Sequence, residues 1–449
     1  MFSNMKILIL GMARSGVAAA KVLAKRNNRV VINDLSMDHD KKTIKELNDL
    51  GVKLVLGSHP YDLLDDSFNY VIKNPGIRDD HKLIMQAKEL KIPVINEVEL
   101  AYKLLPKSVT LIGITGTNGK TTTTTLTYEI MHKAFPSKVH LAGNIGYPLC
   151  SILDKLKEND IVVMEVSVQQ SVNFDKFHPH VALMTNYSPA HIDFLETYEN
   201  YKKTKAKMFY NQESTDIAIL NLNNKEVLDE LRNIKSIKKY FSSTDKANCY
   251  LKDNVIYYND EEVINTNIIK IPGMHNIENI LGAISIVKEF NVDNRIISDV
   301  ISNFTGVEHR LEYVDEVNGV RFYNDTEATN IKCTQIALSS FNKPIIIILG
   351  GLERGQNFDD LIPFSKNIKA IIGIGECRER VREFSKKINV PIYIHEYLKD
   401  SFNDIANIME SGDIVLLSPA SASWDQYKEC EIRGMEFKDL VKGLKDGIN

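Results

Sequence analysis

The chain has 449 residues, a formal net charge of −4, 43% apolar residues and 25% charged residues. This length favours two to four domains, and the composition is typical of a soluble globular protein. The near balance of acidic and basic residues argues against a broad nucleic-acid-binding face.

The five cysteines lie far apart and form no CxxC pair, so neither a disulfide framework nor a zinc knuckle is predicted. The apolar run before Gly11 is too short for a signal sequence. No stretch of the sequence approaches the ~18 apolar residues of a membrane span. These patterns predict a cytoplasmic protein.

A pattern of apolar run, glycine turn and helical stretch begins three times along the chain. It starts at Lys6–Arg26, at Val109–Lys133 and at Lys343–Ile362. Continuous β-branched runs before glycine turns predict buried parallel strands, and the helical stretches between them predict βαβ units. The predicted fold class is therefore α/β, with three domains over residues 1–107, 108–304 and 305–449.

Two further elements are predicted in the central segment. Asp253–Ile264 has the pattern of a short hairpin with its turn near Asn259, and Asn276–Phe290 has the pattern of an amphipathic helix.

The segment Gly116–Thr121 indicates a phosphate-binding loop, because it follows a predicted strand and opens a predicted helix. In that setting backbone N–H groups and the helix N-terminus face phosphates, Lys120 neutralises them, and Thr121 can bind Mg²⁺. The strict GxxxxGK[ST] spacing is not met, since Ile114 stands where the first glycine belongs. An ordinary glycine turn before a helix is the alternative. Kinases, motors, GTPases and ligases all use such loops, so the loop does not define the reaction.

Candidate metal ligands follow in the same segment. Glu165 lies at the end of the predicted strand Asp160–Ser167, and His191 and Asp193 lie close together further on. A strand-end glutamate is more often a surface residue, and a lone histidine is usually packed. Beside a phosphate loop, Glu165 becomes a candidate Mg²⁺ ligand.

Eight motifs in this order resemble the Mur ligases over essentially the whole chain. They are Gly113–Thr122, Ala142–Gly146, His191–Asp193, Pro272–Asn279, Gly306–Arg310, Asn324–Asn330, Gly350–Phe358 and Leu417–Tyr427. The resemblance implies a Rossmann-like N-terminal domain that binds a uridine nucleotide, a central P-loop ATPase domain with a parallel sheet, and a Rossmann-like C-terminal domain that binds the incoming amino acid.

The resemblance also implies a reaction. ATP phosphorylates a substrate carboxylate, and an amine attacks the acyl phosphate to form an amide. The expected reaction adds D-glutamate to UDP-N-acetylmuramoyl-L-alanine in peptidoglycan precursor synthesis, and the expected partners are small molecules, with no nucleic acid or membrane, bound to a monomer. A paralogue that adds a different amino acid or amine is the alternative.

Site residues follow from the resemblance by motif. The ATP set is Gly116, Thr117, Asn118, Gly119, Lys120, Thr121, Thr122, Asn279, Arg310 and Asp325. The set for two Mg²⁺ ions is Thr121, Glu165, His191 and a carbamylated Lys205, and the catalytic set is Lys120, His191, Lys205 and Arg310. The uridine-substrate set is Arg14, Ser15, Asp34, Asn74, Gly76 and Asn144, and the amino-acid set is Glu327, Thr329, Arg354, Ser423 and Cys430. By composition alone, Lys205 would be a solvated helix lysine.

The chain departs from the family pattern mainly on the amino-acid side. Val168 and Gln169 replace serine and phenylalanine after the strand-end glutamate, and Cys430 replaces a phenylalanine. Glu327 stands where the family has a lysine that faces the amino acid. We expect that Arg354 takes over the substrate carboxylate, that Glu327 turns away to pair with a neighbouring lysine, or that the substrate is not dicarboxylic.

Other classes of protein fit less well. A kinase needs an acceptor base, and no such motif stands out. A nicotinamide-dependent oxidoreductase would leave the phosphate loop unexplained, and the sequence around Gly11 lacks the middle glycine of GxGxxG. A non-catalytic nucleotide-binding regulator would have no need of metal ligands.

Overall fold

The computed structural model describes residues 2–190 and 192–447, the side chains of Ile192 and Asp193 excepted. Strands and helices alternate along the chain and form three sheets, so the predicted α/β class is confirmed. In the described part of the chain, no helix has both the length and the apolar character that a membrane crossing requires.

The first sheet is entirely parallel in the order β3-β2-β1-β4-β5. Its strands are β1 (Lys6–Leu10), β2 (Arg29–Asp34), β3 (Lys53–Leu56), β4 (Tyr70–Lys73) and β5 (Val94–Asn96). Its helices are α1 (Arg14–Ala24), α2 (Lys41–Asp49), α3 (Lys82–Glu89) and α4 (Glu97–Leu104). Ile7 and Ile9 pack in one apolar cluster and Leu8 and Leu10 in another, which explains why β1 is apolar without alternation. The strand order reverses between β1 and β4, so a crevice forms at their carboxyl ends.

The central sheet has the order β14-β13-β12-β11-β10-β9-β6-β8-β7. Its strands are β6 (Thr110–Thr115), β7 (Val139–Gly143), β8 (Ile161–Glu165), β9 (Val181–Met184), β10 (Ile217–Asn221), β11 (Ile237–Ser242), β12 (Cys249–Lys252), β13 (Val255–Tyr258) and β14 (Glu261–Asn265). Its helices are α5 (Lys120–Ala134), α6 (Leu149–Ile152), α7 (Val168–Ser171), α8 (Ile192–Leu195), α9 (Tyr198–Tyr210), α10 (Lys225–Glu230), α11 (Met274–Val287) and α12 (Asn294–Asn303). The predicted hairpin is confirmed as β13 and β14, joined at Asn259 and Asp260, and the predicted helix is confirmed as α11.

The third sheet has the order β15-β16-β20-β17-β18-β19 and is parallel except for the β15–β16 pair. Its strands are β15 (Glu312–Val317), β16 (Val320–Asn324), β17 (Ile345–Gly350), β18 (Ile368–Ile374), β19 (Ile392–Ile394) and β20 (Ile414–Leu417). Its helices are α13 (Ile331–Ser339), α14 (Arg378–Ile388), α15 (Phe402–Ile408) and α16 (Cys430–Asp446). Alternate isoleucines of β17 enter two separate apolar clusters, so both faces of this sheet are covered.

The chain divides into two compact units. One comprises Met1–Ile264 and Glu278–Ser298, and the other comprises Asn265–Ile277 and Asp299–Asn449. The first unit therefore holds the first two sheets, apart from the last residue of β14, and the second unit holds the third sheet. The predicted limits of three domains after residues 107 and 304 stay predictions.

Candidate active site

The phosphate loop connects β6 to α5 and depends on its glycines. Gly119 precedes α5 with a left-handed φ of 80°, and a Cβ atom placed on it would overlap Asn279 Oδ1. A side chain at this position would therefore be strained and would collide with α11. The structure thus brings Asn279 against the loop, and its contact with the nucleotide stays a prediction.

Two residues after β9 hold the loop in shape. Asn186 accepts hydrogen bonds from the backbone N–H groups of Thr117 (2.9 Å) and Asn118 (3.0 Å), and Thr185 Oγ1 donates to the Asn118 carbonyl (2.6 Å). These two N–H groups are thus occupied, and the N–H groups of the first turn of α5, which have no partner within the helix, can bind phosphate. Sequence reasoning missed both residues. The available signal was a Thr-Asn pair directly after a buried apolar run.

The side chain of Lys120 lies over the loop. Its Nζ donates to the Thr117 carbonyl at 2.9 Å, and Thr117 Oγ1 lies 2.8 Å from the Tyr201 hydroxyl. Thr121 and Thr122, on the first turn of α5, are partly buried.

Glu165 ends β8 as a buried carboxylate that is only partly satisfied. It is 1% exposed, and its Oε1 accepts from Asn144 Nδ2 at 2.7 Å. Its Oε2 has no hydrogen-bond partner among residues 2–190 and 192–447. An orphaned buried carboxylate oxygen is costly, and a hard cation such as Mg²⁺ prefers this kind of ligand. The donor set therefore fits a magnesium ion.

Lys205 is buried on α9, so the expectation of a solvated lysine from composition alone is wrong. Its side chain is 1% exposed, and its Nζ donates to Thr115 Oγ1 at 3.3 Å and lies 5.2 Å from the centre of the Tyr201 ring. Burial lowers the pKa of Lys205 well below its usual value; the charge of Lys120 lowers it further and that of Glu165 opposes the shift. The burial of Lys205 could not be predicted from the sequence, because it depends on β6 lying behind α9.

The uridine-side residues meet at the crevice between β1 and β4. Asn74 Nδ2 donates to Ser15 Oγ at 3.3 Å, and Asn74 Oδ1 accepts from the Gly76 N–H at 3.2 Å. Arg14 donates from Nη2 to the Gly146 carbonyl, which lies just beyond Asn144.

Both carboxylate oxygens of Asp34 accept hydrogen bonds from backbone N–H groups. Its Oδ2 accepts from the Met12 N–H at 2.6 Å, and its Oδ1 accepts from the Ser36 N–H at 2.8 Å. It thereby fixes the turn that follows β1. Next to this turn lies a groove of about 350 Å³ lined by Met12, Arg14, Val17, His39, Asp40, Thr43, Tyr147, Pro148 and Ser151.

In the second unit, Glu327 forms an ion pair with an arginine. Arg310 Nη2 lies 3.3 Å from Glu327 Oε2, so the partner of Glu327 is an arginine and not the lysine that one of the three alternatives expects. Asp325 is buried and accepts from Ser418 Oγ (2.8 Å) and from the Leu311 N–H (3.0 Å). Burial raises the pKa of Asp325 to about 7, and these two hydrogen bonds oppose the rise.

The other amino-acid-side residues lie on strand-end loops and on α16. Ligand atoms of Glu327, Cys430 and Glu431 lie within 4.8 Å of one another, and burial raises the pKa of Cys430 to about 11. Ser423 is 1% exposed, and its Oγ has no hydrogen-bond partner among the described residues. Arg354 stacks on Trp424, with its guanidinium carbon Cζ 4.6 Å from the centre of the indole ring.

Thr329 and His191 are two further residues that the sequence predicts for the site. The Thr329 N–H donates to the Glu327 carbonyl at 2.8 Å, which fixes only the local turn. His191, predicted as a metal ligand, lies outside the described residues.

The chain matches three domain families in the order the motifs predict. Residues 5–96 match the "Mur ligase MurD-like, N-terminal domain", residues 114–287 the "Mur ligase middle domain", and residues 309–421 the "Mur ligase, glutamate ligase domain". Together with the relatives described next, these matches show that the chain belongs to the Mur ligase family of ATP-dependent ligases.

Similar proteins of assigned activity match along nearly the whole chain. The UDP-N-acetylmuramoylalanine–D-glutamate ligase of Enterococcus hirae is 43% identical, with 98% of this chain and 96% of the relative covered. The enzyme of the same name from Geobacillus kaustophilus is 41% identical, with 99% of each chain covered.

Solved structures support the fold. The UDP-N-acetylmuramate-alanine ligase of Thermotoga maritima has a TM-score of 0.58 at 19% identity, with 98% of this chain and 99% of that chain covered. The MurF ligase of the same organism, solved in complex with ADP, has a TM-score of 0.59 at 17% identity, with 94% and 97% covered.

Proposed function

We propose that this protein is an ATP-dependent ligase that adds D-glutamate to UDP-N-acetylmuramoyl-L-alanine in the synthesis of peptidoglycan precursors. Two relatives that carry this name share 41–43% identity with it along nearly the full length. The observation that carries the proposal is the group at the carboxyl edge of the central sheet. There Glu165, with one orphaned carboxylate oxygen, and the buried amine of Lys205 lie beside Lys120 of the phosphate loop.

The phosphate loop would bind ATP through its fixed backbone and its lysine. The α5 N-terminus offers N–H donors to the phosphates, and Lys120 would exchange its bond to the Thr117 carbonyl for the γ-phosphate. Lys120 would thereby oppose the charge that grows on the transferred phosphoryl group. Asn279, held against Gly119, would contact the same nucleotide.

Thr121, Glu165 and His191 would hold Mg²⁺, together with Lys205 as a carbamate. Bound Mg²⁺ would neutralise phosphate charge and orient the phosphoryl group. Carbamylation joins the Lys205 nitrogen to the carbon of CO₂ with loss of one proton, and it turns an amine into a carboxylate. Full burial beside Glu165 and a thin set of acidic ligands favour this modification.

The proposed reaction has two steps. A carboxylate oxygen of the muramoyl substrate attacks the γ-phosphorus, and the bond to the β–γ bridging oxygen breaks to release ADP. The amine of the amino acid then attacks the acyl carbon, inorganic phosphate leaves, and the nitrogen loses a proton. Asn144, which donates to Glu165 and lies near the Arg14 contact, would position the muramoyl end of the nucleotide substrate.

The test is a panel of amino acids incubated with ATP and UDP-N-acetylmuramoyl-L-alanine. We expect ADP and phosphate release that depends on D-glutamate, with a product heavier by one glutamyl residue in mass spectrometry. Phosphate release without any amide product would contradict the assignment.

A second candidate function is a ligase of the same type for a neutral or cationic amino acid. The observation that favours it is that Glu327 and Cys430 stand where the family has lysine and phenylalanine, and that Glu431 adds a second carboxylate beside them. In the same panel, turnover with ornithine or lysine above that with D-glutamate would select this candidate. We further propose a cytoplasmic monomer that acts on small molecules.

A further inference from the structure

Arg433 is a buried guanidinium on the first turn of α16. Its side chain is 1% exposed and makes four hydrogen bonds. Its Nε donates to Thr326 Oγ1 (3.0 Å), and its Nη2 donates to the carbonyls of Thr326 (3.1 Å) and Ser421 (3.1 Å). Its Nη1 donates to the Gly350 carbonyl (3.4 Å).

The three acceptor residues lie at the carboxyl ends of adjacent strands. Thr326 follows β16, Ser421 follows β20, and Gly350 ends β17, in a sheet with the local order β16-β20-β17. The segments that follow these strands, together with α16 itself, carry every residue assigned to the amino-acid side: Glu327, Thr329, Ser423, Arg354 and Cys430. One guanidinium therefore bonds to each segment that would present the amino-acid site.

Arg433 also keeps a charge that no carboxylate balances within hydrogen-bond distance in the described part of the chain. Its hydrogen-bond partners are three carbonyls and one hydroxyl. Burial lowers the pKa of Arg433 to about 10, which leaves it charged at neutral pH. The groups that face this guanidinium and oppose the fall in its pKa are Cys430, Asp425, Tyr427 and Cys377. A buried charge without a carboxylate at hydrogen-bond distance is costly, so a purely structural bridge would be better served by a neutral donor. The same charge gives a positive potential at the edge where an anionic amino acid would bind.

We propose that Arg433 is the positioning residue of the amino-acid half of the site, fixing the three strand-end loops and supplying positive potential for an anionic amino acid. The identity of the ligand rests on the proposed function. The fixing of the loops does not.

Loop fixing is tested by hydrogen–deuterium exchange on the full chain, in Arg433→Met and Arg433→Lys. Exchange in peptides covering residues 325–330, 351–356 and 418–424 should be about tenfold faster than in wild type. The matched control is Lys445→Met, on the same helix, which removes the ion pair to Asp315 and leaves these loops alone. If Arg433→Met fails to fold, Thr326→Val replaces it, because it removes the Nε acceptor and the hydrogen bond from Thr326 Oγ1 to the Cys430 carbonyl (2.8 Å) but leaves the three carbonyl acceptors of Arg433 in place. Wild-type exchange in every folded variant would overturn the proposal.

The role in amino-acid binding is tested by a split of kinetic constants. Below about pH 7, where its lysine is protonated, Arg433→Lys keeps the charge and loses the planar guanidinium with its several donors, so KM for D-glutamate should rise about tenfold. KM for UDP-N-acetylmuramoyl-L-alanine should not change, since its proposed contacts lie in the other compact unit. A rise in both KM values, or a fall in kcat alone, would overturn the amino-acid role.

The role of the positive charge at position 433 is tested by the pH dependence of KM for D-glutamate. The buried lysine of Arg433→Lys should lose its proton between about pH 7 and 9, so its KM for D-glutamate should climb over that range while the wild-type value stays flat. A flat KM in the variant would overturn the electrostatic part. Absence of D-glutamate turnover in the wild type would defeat the proposed function, whereas the exchange experiment would still decide the positioning role.

Discussion

Lys205 is a lysine whose environment differs from that of an ordinary surface lysine. A lysine normally extends its amine into water, whereas this amine is 1% exposed and held between Thr115 and the Tyr201 ring. Among the described residues no carboxylate lies at hydrogen-bond distance from this amine, and burial disfavours its ammonium form and favours a nucleophilic amine. That is the chemical state from which a carbamate forms.

Lys205→Ala should therefore be nearly inactive and partly rescued by short carboxylic acids such as acetate. The reason is that the added acid can replace the carbamate carboxylate in the space left by the side chain. Phosphate release with the full substrate set is the measurement. The control is Lys203→Ala on the same helix, whose side chain is 64% exposed, and it should behave as wild type. Full activity of Lys205→Ala in bicarbonate-free buffer would refute the role.

Glu327 poses the specificity question. Its carboxylate is held by Arg310, and Cys430 and Glu431 lie close to it. Two like charges about 4 Å apart repel by roughly 4 kcal/mol at an effective dielectric of about 20, before screening. A dicarboxylic substrate in the usual pose of the family would meet this repulsion.

Glu327→Lys should lower KM for D-glutamate by about tenfold or more, because it exchanges repulsion for attraction. Steady-state kinetics at saturating ATP measure the effect. Glu383→Lys is the charge-matched control, since it makes the same change at a side chain that is 68% exposed on α14. If the wild type already uses micromolar D-glutamate and Glu327→Lys changes nothing, the specificity-shift hypothesis fails.

At the scale of elements, the phosphate loop depends on how three neighbouring strands end. The loop follows β6, its supports Thr185 and Asn186 follow β9, and Glu165 ends β8. Since β9 and β8 flank β6, these groups converge at one edge. Hydrogen bonds that join a carbonyl and two N–H groups of the loop to the residues after β9 hold the loop in its conformation.

Gly119→Ala should abolish detectable ATP binding in calorimetry. The added Cβ would occupy a left-handed conformation and overlap Asn279 Oδ1, so the loop would have to move. Gly51→Ala is a matched control, because Gly51 has a similar φ of 75° with open space around its Cβ position. It should cost about 1 kcal/mol of stability and leave ATP binding intact. Equal ATP affinity in both variants would show that the overlap is tolerated.

At the scale of the whole molecule, each of the two compact units contains a buried carboxyl with a raised pKa. Glu97 begins α4 in the first unit and accepts from the Cys150 N–H at 2.5 Å, and Asp325 lies in the second unit. Burial raises the pKa of Glu97 to about 7 from a usual 4.5. A raised pKa in the folded state stabilises below the unfolded value and loses that effect as pH rises through the folded value.

The first unit should therefore lose stability between about pH 4.5 and pH 7 through Glu97. Glu97→Gln stays neutral at all these pH values. Its free energy of unfolding should therefore rise relative to that of the wild type by on the order of 3 kcal/mol across that window, since each pKa unit is worth about 1.4 kcal/mol. Denaturant unfolding followed by pulsed hydrogen exchange, with peptides from β6 and β17, assigns the effect to a unit. We expect a change in β6 alone, because units with separate cores unfold in separate steps. Equal changes in both peptides would mean that the units unfold together.

The amino-acid sequence by itself determined the strands, the phosphate loop and the order of the motifs. Continuous β-branched runs such as β1, β6 and β17 are local signals, since burial on both faces leaves no alternation to misread. Gly119 and Lys120 were found because a glycine turn between a strand and a helix is also local. The position of Glu165 at the end of a predicted strand was likewise readable from the sequence, and the family resemblance added Asn279, which the structure brings to the loop.

Only the tertiary structure decided the burial of Lys205, the support of the loop by Asn186 and the pairing of Glu327 with Arg310. Each depends on which distant segment lies alongside. β9 adjoins β6 through pairing of strands about seventy residues apart, and Arg433 reaches three loops because α16 packs on the edge where three strands end. Local sequence sets the conformation of a segment. The solvation and partners of its side chains are set by long-range packing, which no local pattern encodes.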